Sequence, residues 1–154
     1  MERQIRSRRH LLTAGLLALG LAALGPVAAS AQQATLSPPE ARAAIAAGRL
    51  TLVDVRTPDE WRETGVPAGA RRLDYRNRAD DAAFVAAFAA LVGGDKTAPV
   101  AVICRSGRRS AQVRALLLAN GFRTVADVNE GVMGGEAGPG WLRRGLPLTP
   151  CPDC

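Results

Sequence analysis

The residues best suited to chemistry form one seven-residue segment, CRSGRRS, at positions 104–110. Cys104 directly follows the apolar run PVAVI at positions 99–103, which predicts a buried parallel strand. A loop that leads from such a strand into a helix can point backbone N–H groups inward, and the helix N-terminus adds partial positive charge. Three arginines add full charges. We therefore expect Cys104 to be a thiolate nucleophile near neutral pH.

The other residues of this segment favour an anion beside the cysteine. Serine hydroxyls can donate hydrogen bonds to a sulfur anion or an oxyanion, and glycine permits the positive φ that a tight cradle requires. The alternative, a buried structural cysteine with solvated arginines, explains the dense spacing of these residue types less well. The candidate anion-binding residues are Arg105, Ser106, Gly107, Arg108, Arg109 and Ser110.

A second cysteine motif, Cys151-Pro152-Asp153-Cys154, stands at positions 151–154. A c-type haem site would need a histidine after it, and two thiols alone make a poor zinc site. We predict a disulfide, for which two roles remain open. It is either a structural clip or a redox pair that reacts with a partner or with a persulfide on Cys104.

Residues 1–31 have the three parts of an export signal. Four arginines precede an uncharged apolar run at positions 11–24, and an A-x-A sequence ends at Ala31. The run is too short to cross a bilayer core of about 30 Å as a helix. We predict cleavage after Ala31, a periplasmic or secreted protein, and no membrane attachment after cleavage. The arginine pair at positions 8–9 also resembles a twin-arginine signal.

The composition excludes several classes of protein. A chain of 154 residues with 47% hydrophobic and 22% charged residues fits one globular domain rather than a disordered segment. Loss of residues 1–31 lowers the net charge from +6 to +3, which does not indicate nucleic-acid binding. It also removes His10, the only histidine, which excludes a cysteine–histidine pair and histidine metal ligands. We divide the chain into a signal (1–31), a domain (32–148) and a tail (149–154).

Alternating helices and strands must position Cys104. The patterns predict helices over 41–47, 57–65, 79–92 and 110–120, strands over 50–55, 99–103 and 123–128, and a short turn over 141–145. This alternation implies an α/β fold, a parallel sheet flanked by helices on both faces. Sites in such sheets form beyond the carboxyl ends of the strands, where Cys104 lies.

Charged residues around the first strand and after it have structural explanations. Asp54, Arg56 and Glu60 resemble an acid–base set, but we expect a buried Arg56–Glu60 ion pair that braces the turn from strand to helix. Trp61 and Trp141 are expected to anchor the core. A basic run is expected to be solvated surface, with steering of a substrate anion as the alternative: Arg71, Arg72, Arg76 and Arg78.

Four segments in this order resemble the rhodanese family of single-domain sulfurtransferases. They are LVDVRTPDEW at 52–61, GVPAGA at 65–70, CRSGRRS at 104–110, and the glycines, tryptophan and GLP of 134–147. The second segment lacks the histidine that is usual in the family's turn. The resemblance extends over residues 36–148 and implies the rhodanese-like fold.

The resemblance also implies transfer of sulfane sulfur through a persulfide on Cys104. The donor would be a small sulfur-containing anion such as thiosulfate, the acceptor cyanide or a thiol, and no metal or organic cofactor would be needed. Loop N–H groups would stabilise the persulfide and arginines would hold the donor. Two alternatives remain: a non-enzymatic persulfide carrier or partner-binding module, and a thiol–disulfide oxidoreductase using Cys151 and Cys154. Related phosphatases have five residues between cysteine and arginine, whereas four separate Cys104 from Arg109.

Overall fold

A computed structural model describes residues 35–154 of the chain. The predicted export signal, residues 1–31, lies outside the described residues. Within residues 35–154, no helix is both long enough and apolar enough to cross a membrane.

Helices and short strands alternate along the chain, as the sequence predicts. Two of the helices begin in the same way, because Ser37 and Thr57 each form a capping box with a glutamate three residues later and each is followed by proline. The elements are α1 (Pro38–Ala46), β1 (Thr51–Asp54), α2 (Pro58–Thr64), β2 (Val66–Pro67), β3 (Arg71–Arg72), α3 (Asp81–Leu91), β4 (Val100–Ile103), α4 (Arg108–Ala119), β5 (Val125–Asp127), α5 (Gly140–Arg143) and β6 (Leu148–Thr149).

Four strands form one parallel sheet in the order β3-β1-β4-β5. The central strand β4 is buried along its whole length, which is typical of a parallel strand covered on both faces. One face packs against α3 and α4 through Phe88 and Leu117, and the other packs against α1 and α5 through Ala41 and Trp141. The predicted α/β fold with helices on both faces is confirmed.

The structure differs from the sequence prediction at three places. Helix α4 begins at Arg108 rather than Ser110, because Gly107 reverses the chain with φ of +94° and acts as the N-cap. The two-residue strands β2, β3 and β6 are too short to show the alternation that predicts a strand. Strand β6 pairs with β2 and spans the boundary that the sequence placed between residues 148 and 149.

Candidate active site

Cys104 lies at the carboxyl end of β4, in the centre of the sheet. Its Sγ accepts a hydrogen bond from the backbone N–H of Gly107 at 3.2 Å. The hydroxyl of Ser110 lies 3.4 Å from the same sulfur and 3.0 Å from the Gly107 carbonyl oxygen, so its proton can serve either acceptor. The sequence placed both residues in the anion-binding loop, and both contact the cysteine sulfur here.

The segment that precedes α5 holds the Cys104 loop in this conformation. The carbonyl oxygens of Cys104 and Arg105 accept hydrogen bonds from the N–H groups of Val132 and Met133, at 2.8 and 2.9 Å. Because these carbonyl groups are directed toward that segment, the loop can turn the N–H of Gly107 toward the sulfur. The two backbones approach so closely that a Cβ on Gly131 would lie 2.4 Å from the Arg105 carbonyl oxygen.

Gly107 is required by both conformation and space. Its φ of +94° belongs to a region that other L-residues avoid. A Cβ at this position would lie 2.1 Å from the backbone oxygen of Asn129. The residue that donates to the cysteine sulfur is therefore fixed between the start of α4 and the loop after β5.

A cavity of about 450 Å³ opens above the cysteine. Cys104 is 2% exposed and packs against the core on the α3 and α4 side, but it also lines this cavity. A reagent can therefore reach the sulfur through this cavity. The lining residues are mostly basic and polar: Tyr75, Arg76, Arg78, Arg105, Ser106, Arg108, Arg109 and Gln112.

Two of the three loop arginines are held by glutamates of α2. Arg109 forms a paired contact with the Glu60 carboxylate, at 2.8 and 3.3 Å, and both side chains are largely buried. Burial acts to raise the pKa of Glu60, but hydrogen bonds from Arg109 and Thr57 outweigh it and lower that pKa below its usual value. Arg105 contacts Glu63 at 3.2 Å on the surface. These two arginines tie the loop and α4 to α2.

The cations left for a ligand come partly from outside the loop. Arg76 and Arg108 line the cavity, and neither makes an ion pair within residues 35–154. Arg78 stacks over the Tyr75 ring at 3.7 Å and pairs with Asp81. From the sequence we expected this basic run to be solvated surface, and Tyr75 was not among the predicted site residues. The position of an aromatic residue, Tyr75, inside this basic run was the available signal.

The expected Arg56–Glu60 ion pair is wrong. Arg56 is buried and pairs with the Asp54 carboxylate at 2.7 Å. Its contact with Glu60 is a hydrogen bond to the backbone carbonyl oxygen, and not to the carboxylate. The capping box holds the Glu60 carboxylate next to Thr57, where Arg109 reaches it. Arg56 still braces the turn, because it also donates to the Gly65 carbonyl oxygen at the end of α2. Trp61 and Trp141 are buried, as expected of core anchors.

The predicted disulfide between Cys151 and Cys154 is present. It lies beyond β6, whose Leu148 packs on the sheet face opposite to the one where Cys104 packs. Cys151 lines two small cavities, of about 310 and 200 Å³, which share no lining residue with the Cys104 cavity. A direct reaction between this pair and Cys104, one of the roles left open by the sequence, is disfavoured by this placement.

Within residues 35–154, no three histidine, cysteine, aspartate or glutamate side chains lie together in a group that could hold a metal ion.

Comparison with known proteins identifies one domain family. The model of the rhodanese-like domain matches residues 37–137. An uncharacterized protein of Rickettsia prowazekii is 30% identical over 103 residues, which cover 62% of this chain and 80% of that protein.

Solved structures of two sulfurtransferases are similar to this chain. The polysulfide-sulfur transferase homodimer of Wolinella succinogenes is 29% identical, with 77% of this chain and 80% of that chain covered and a TM-score of 0.55. A human single-domain sulfurtransferase is 25% identical, with 64% and 90% covered and a TM-score of 0.50.

Proposed function

The chain belongs to the rhodanese-like domain family, and we propose that it is a sulfurtransferase in which Cys104 carries the transferred sulfur as a persulfide. The observation that carries the proposal is the environment of the Cys104 sulfur. It receives a backbone hydrogen bond and lies beside a hydroxyl at the floor of a basic cavity. Similarity to two named sulfurtransferases supports the same activity.

The first half-reaction loads the cysteine. The Cys104 thiolate attacks the outer sulfur of thiosulfate, the sulfur–sulfur bond of the donor breaks, and sulfite leaves with the bonding electron pair. Cys104 then carries one additional sulfur atom as a persulfide anion. Within the first turn of α4, the N–H groups of Arg108 and Arg109 have no helical acceptor, so they are available to this anion.

The second half-reaction transfers the outer sulfur from Cys104 to an acceptor. Cyanide or a thiolate attacks the outer sulfur of the persulfide, and the electron pair returns to Cys104 as thiolate. Cys104 is an anion, either thiolate or persulfide, before and after each transfer. The Gly107 N–H and the Ser110 hydroxyl therefore stabilise the resting thiolate without needing a proton transfer from imidazole.

The cavity favours a donor with two negative charges. Arg109 and Arg105 are already neutralised by Glu60 and Glu63. Arg76 and Arg108 keep their charge for the ligand, and they line the cavity from the loop before α3 and from the first turn of α4. Both guanidinium groups are therefore available to a dianion such as thiosulfate in the cavity that Cys104 lines.

The test measures thiocyanate formed from thiosulfate and cyanide. Wild type should turn over with ping-pong kinetics, and Cys104→Ser should lose about 1000-fold or more of the activity. Intact-mass analysis after incubation with thiosulfate alone should show one added sulfur atom in wild type and none in Cys104→Ser. Polysulfide should be assayed as a second donor.

Other outcomes would contradict the proposal. Loading of Cys104 without release to cyanide or to any thiol would identify a persulfide carrier rather than an enzyme. Equal activity of wild type and Cys104→Ser would exclude Cys104 as the sulfur-carrying residue.

We also propose that residues 1–31 direct export and are removed after Ala31, which places the domain in the periplasm or outside the cell. The charge and hydropathy pattern of those residues supports this proposal. N-terminal sequencing of the protein recovered from the extracytoplasmic fraction tests it. A mature N-terminus at Met1 in the cytoplasm would contradict it.

A further inference from the structure

We propose that the Cys151–Cys154 disulfide is a second reactive site, which exchanges with a partner that carries two thiols and oxidises it. The site is separate from Cys104 and does not depend on sulfur transfer there. Three features of the structure support it: the small constraint that this disulfide adds, the cation placed against both sulfurs, and the cavities beside Cys151.

A structural role explains the disulfide poorly. It joins residues only three apart, and the constraint that a disulfide places on an unfolded chain grows with the loop it closes. The tail is also attached to the domain by other contacts. Strand β6 pairs with β2, and Arg62 on α2 donates to the carbonyl oxygen of Cys154. The disulfide therefore adds little to the attachment of the tail.

Arg72 places a positive charge against both sulfur atoms. Its guanidinium Nη1 contacts the Sγ of Cys151 and the Sγ of Cys154, and the group lies 5.7 Å from the centroid of the Trp61 ring. Within residues 35–154 no carboxylate pairs with Arg72. Disulfide sulfur is neutral and thiolate sulfur is anionic, so this cation favours the state reached when the bond breaks.

A partner can approach through Cys151. The residue is half-buried, and it lines a cavity on each side, one with Arg62 and Gly65 and the other with Val66 and Arg72. Cys154 lines neither of these two cavities. Cys154 is half-buried as well, so the cavities alone distinguish the two residues, and they assign the Sγ of Cys151 as the atom that an incoming thiolate attacks and Cys154 as the leaving group.

The exchange proceeds in two balanced steps. A partner thiolate attacks the Sγ of Cys151, the bond to Cys154 breaks, and the electron pair leaves on the Cys154 sulfur beside Arg72. The second partner thiolate then attacks the partner's own sulfur in the mixed disulfide and releases Cys151 as thiolate. The partner loses two electrons and becomes a disulfide. Cys151 and Cys154 gain those electrons and take up the two protons that the partner thiols release.

The experiment titrates the pair in the full chain, with Cys104→Ser in the background so that no other thiol reacts. The protein is equilibrated with mixtures of reduced and oxidised glutathione, quenched with acid and alkylated, and the C-terminal peptide is measured by mass spectrometry. We expect the folded chain to be reduced more easily than the same chain unfolded in urea. Arg72→Gln should shift the equilibrium about tenfold toward the disulfide at a pH of about 8.

Two further variants separate charge from packing. Arg71→Gln is the matched control, because Arg71 is the neighbour of Arg72 on β3 and contacts the Leu91 carbonyl oxygen instead of sulfur. It should titrate as wild type does. Arg72→Lys keeps the charge and should stay closer to wild type than Arg72→Gln does.

Three results would overturn the proposal: titration of the folded chain that equals the urea-unfolded chain, no difference between Arg72→Gln and Arg71→Gln, or equal shifts for Arg72→Lys and Arg72→Gln. Because Cys104 is absent in these samples, none of the results bears on sulfur transfer. Conversely, failure of the thiosulfate assay leaves this titration unaffected.

Discussion

The two sulfur sites of this protein are held in different ways. The Cys104 sulfur is contacted by a backbone N–H and a serine hydroxyl, inside a loop whose carbonyl groups are bonded to the segment before α5. The Cys151 and Cys154 sulfurs are contacted by one guanidinium group, from Arg72 on an edge strand. The first site is built mainly from main chain and the second from a side chain.

This difference determines which changes each site tolerates. A backbone donor is removed only by substitution to proline, so for other substitutions the Cys104 site is sensitive to residues that set the path of the chain, above all glycines. The disulfide site is sensitive to a single charge.

Gly107→Ala should damage the Cys104 site most. A methyl group there would meet the Asn129 carbonyl oxygen, and the φ of +94° would be strained. We expect sulfur transfer to fall about 100-fold, because displacement of the reacting group by about 1 Å is enough for such a loss. The free energy of unfolding should fall by about 3 kcal/mol. Steady-state kinetics and urea unfolding measure the two effects.

Gly94→Ala is the matched control for that variant. Gly94 also has positive φ, +82°, but a Cβ there would have open space around it. It should lose only about 1 kcal/mol of stability and keep its activity. Similar activities of the two variants would show that the main chain does not set the reactivity of Cys104.

Glu60→Gln tests the main side-chain anchor of the Cys104 region. The pKa of Glu60 is lowered, so its ionised form stabilises the fold above the unfolded-state value, and this contribution is lost as the pH falls through the lower folded-state value. At neutral pH the variant should be less stable by about 1–2 kcal/mol. The difference from wild type should shrink below about pH 4.

Urea unfolding of both proteins across that pH range measures the effect. Glu63→Gln, which removes an exposed partner of Arg105, should cost less than about 0.5 kcal/mol. A difference for Glu60→Gln that persists unchanged at the lowest pH would contradict the assigned charge pair.

Arg76→Gln should act on binding alone, because this arginine lines the cavity without an ion-pair partner among residues 35–154. We expect the KM for thiosulfate to rise about three- to fivefold with kcat unchanged, and added salt to reduce the difference. Arg123→Gln, an exposed arginine outside the cavity lining, should leave KM as in wild type. Equal KM values for the two variants would show that Arg76 is solvated surface and does not bind thiosulfate.

The double variant Cys151→Ser/Cys154→Ser should have the smallest effect on sulfur transfer. The pair follows β6, whose Leu148 packs on the sheet face opposite to Cys104, and the two cavities that Cys151 lines share no residue with the Cys104 cavity. Activity should stay within about twofold of wild type, and stability should change by no more than about 2 kcal/mol. A tenfold loss of thiocyanate formation would show that the two sulfur sites are coupled, and the distinction between them would fail.

Local patterns allowed much of this fold to be predicted. The strand before Cys104, the glycine with positive φ and the short-range disulfide all depend on neighbours within a few positions. The same reasoning failed for Arg56. Two carboxylates, those of Asp54 and Glu60, lie within a few residues of it along the chain, and spacing alone does not decide which of them pairs with it. The capping box held Glu60 away and left Asp54 as the partner.

The sequence by itself determined that a cysteine ends a buried parallel strand and enters a glycine-containing, arginine-rich turn. Those properties follow from residue types and spacing along one stretch of chain. Only the tertiary structure decided that Arg109 and Arg105 are held by α2, that Arg76 borders the Cys104 cavity, and that Arg72 faces the disulfide. The physical reason is that a long charged side chain reaches groups on other elements of the fold, and tertiary packing rather than spacing along the chain decides which groups lie within its reach.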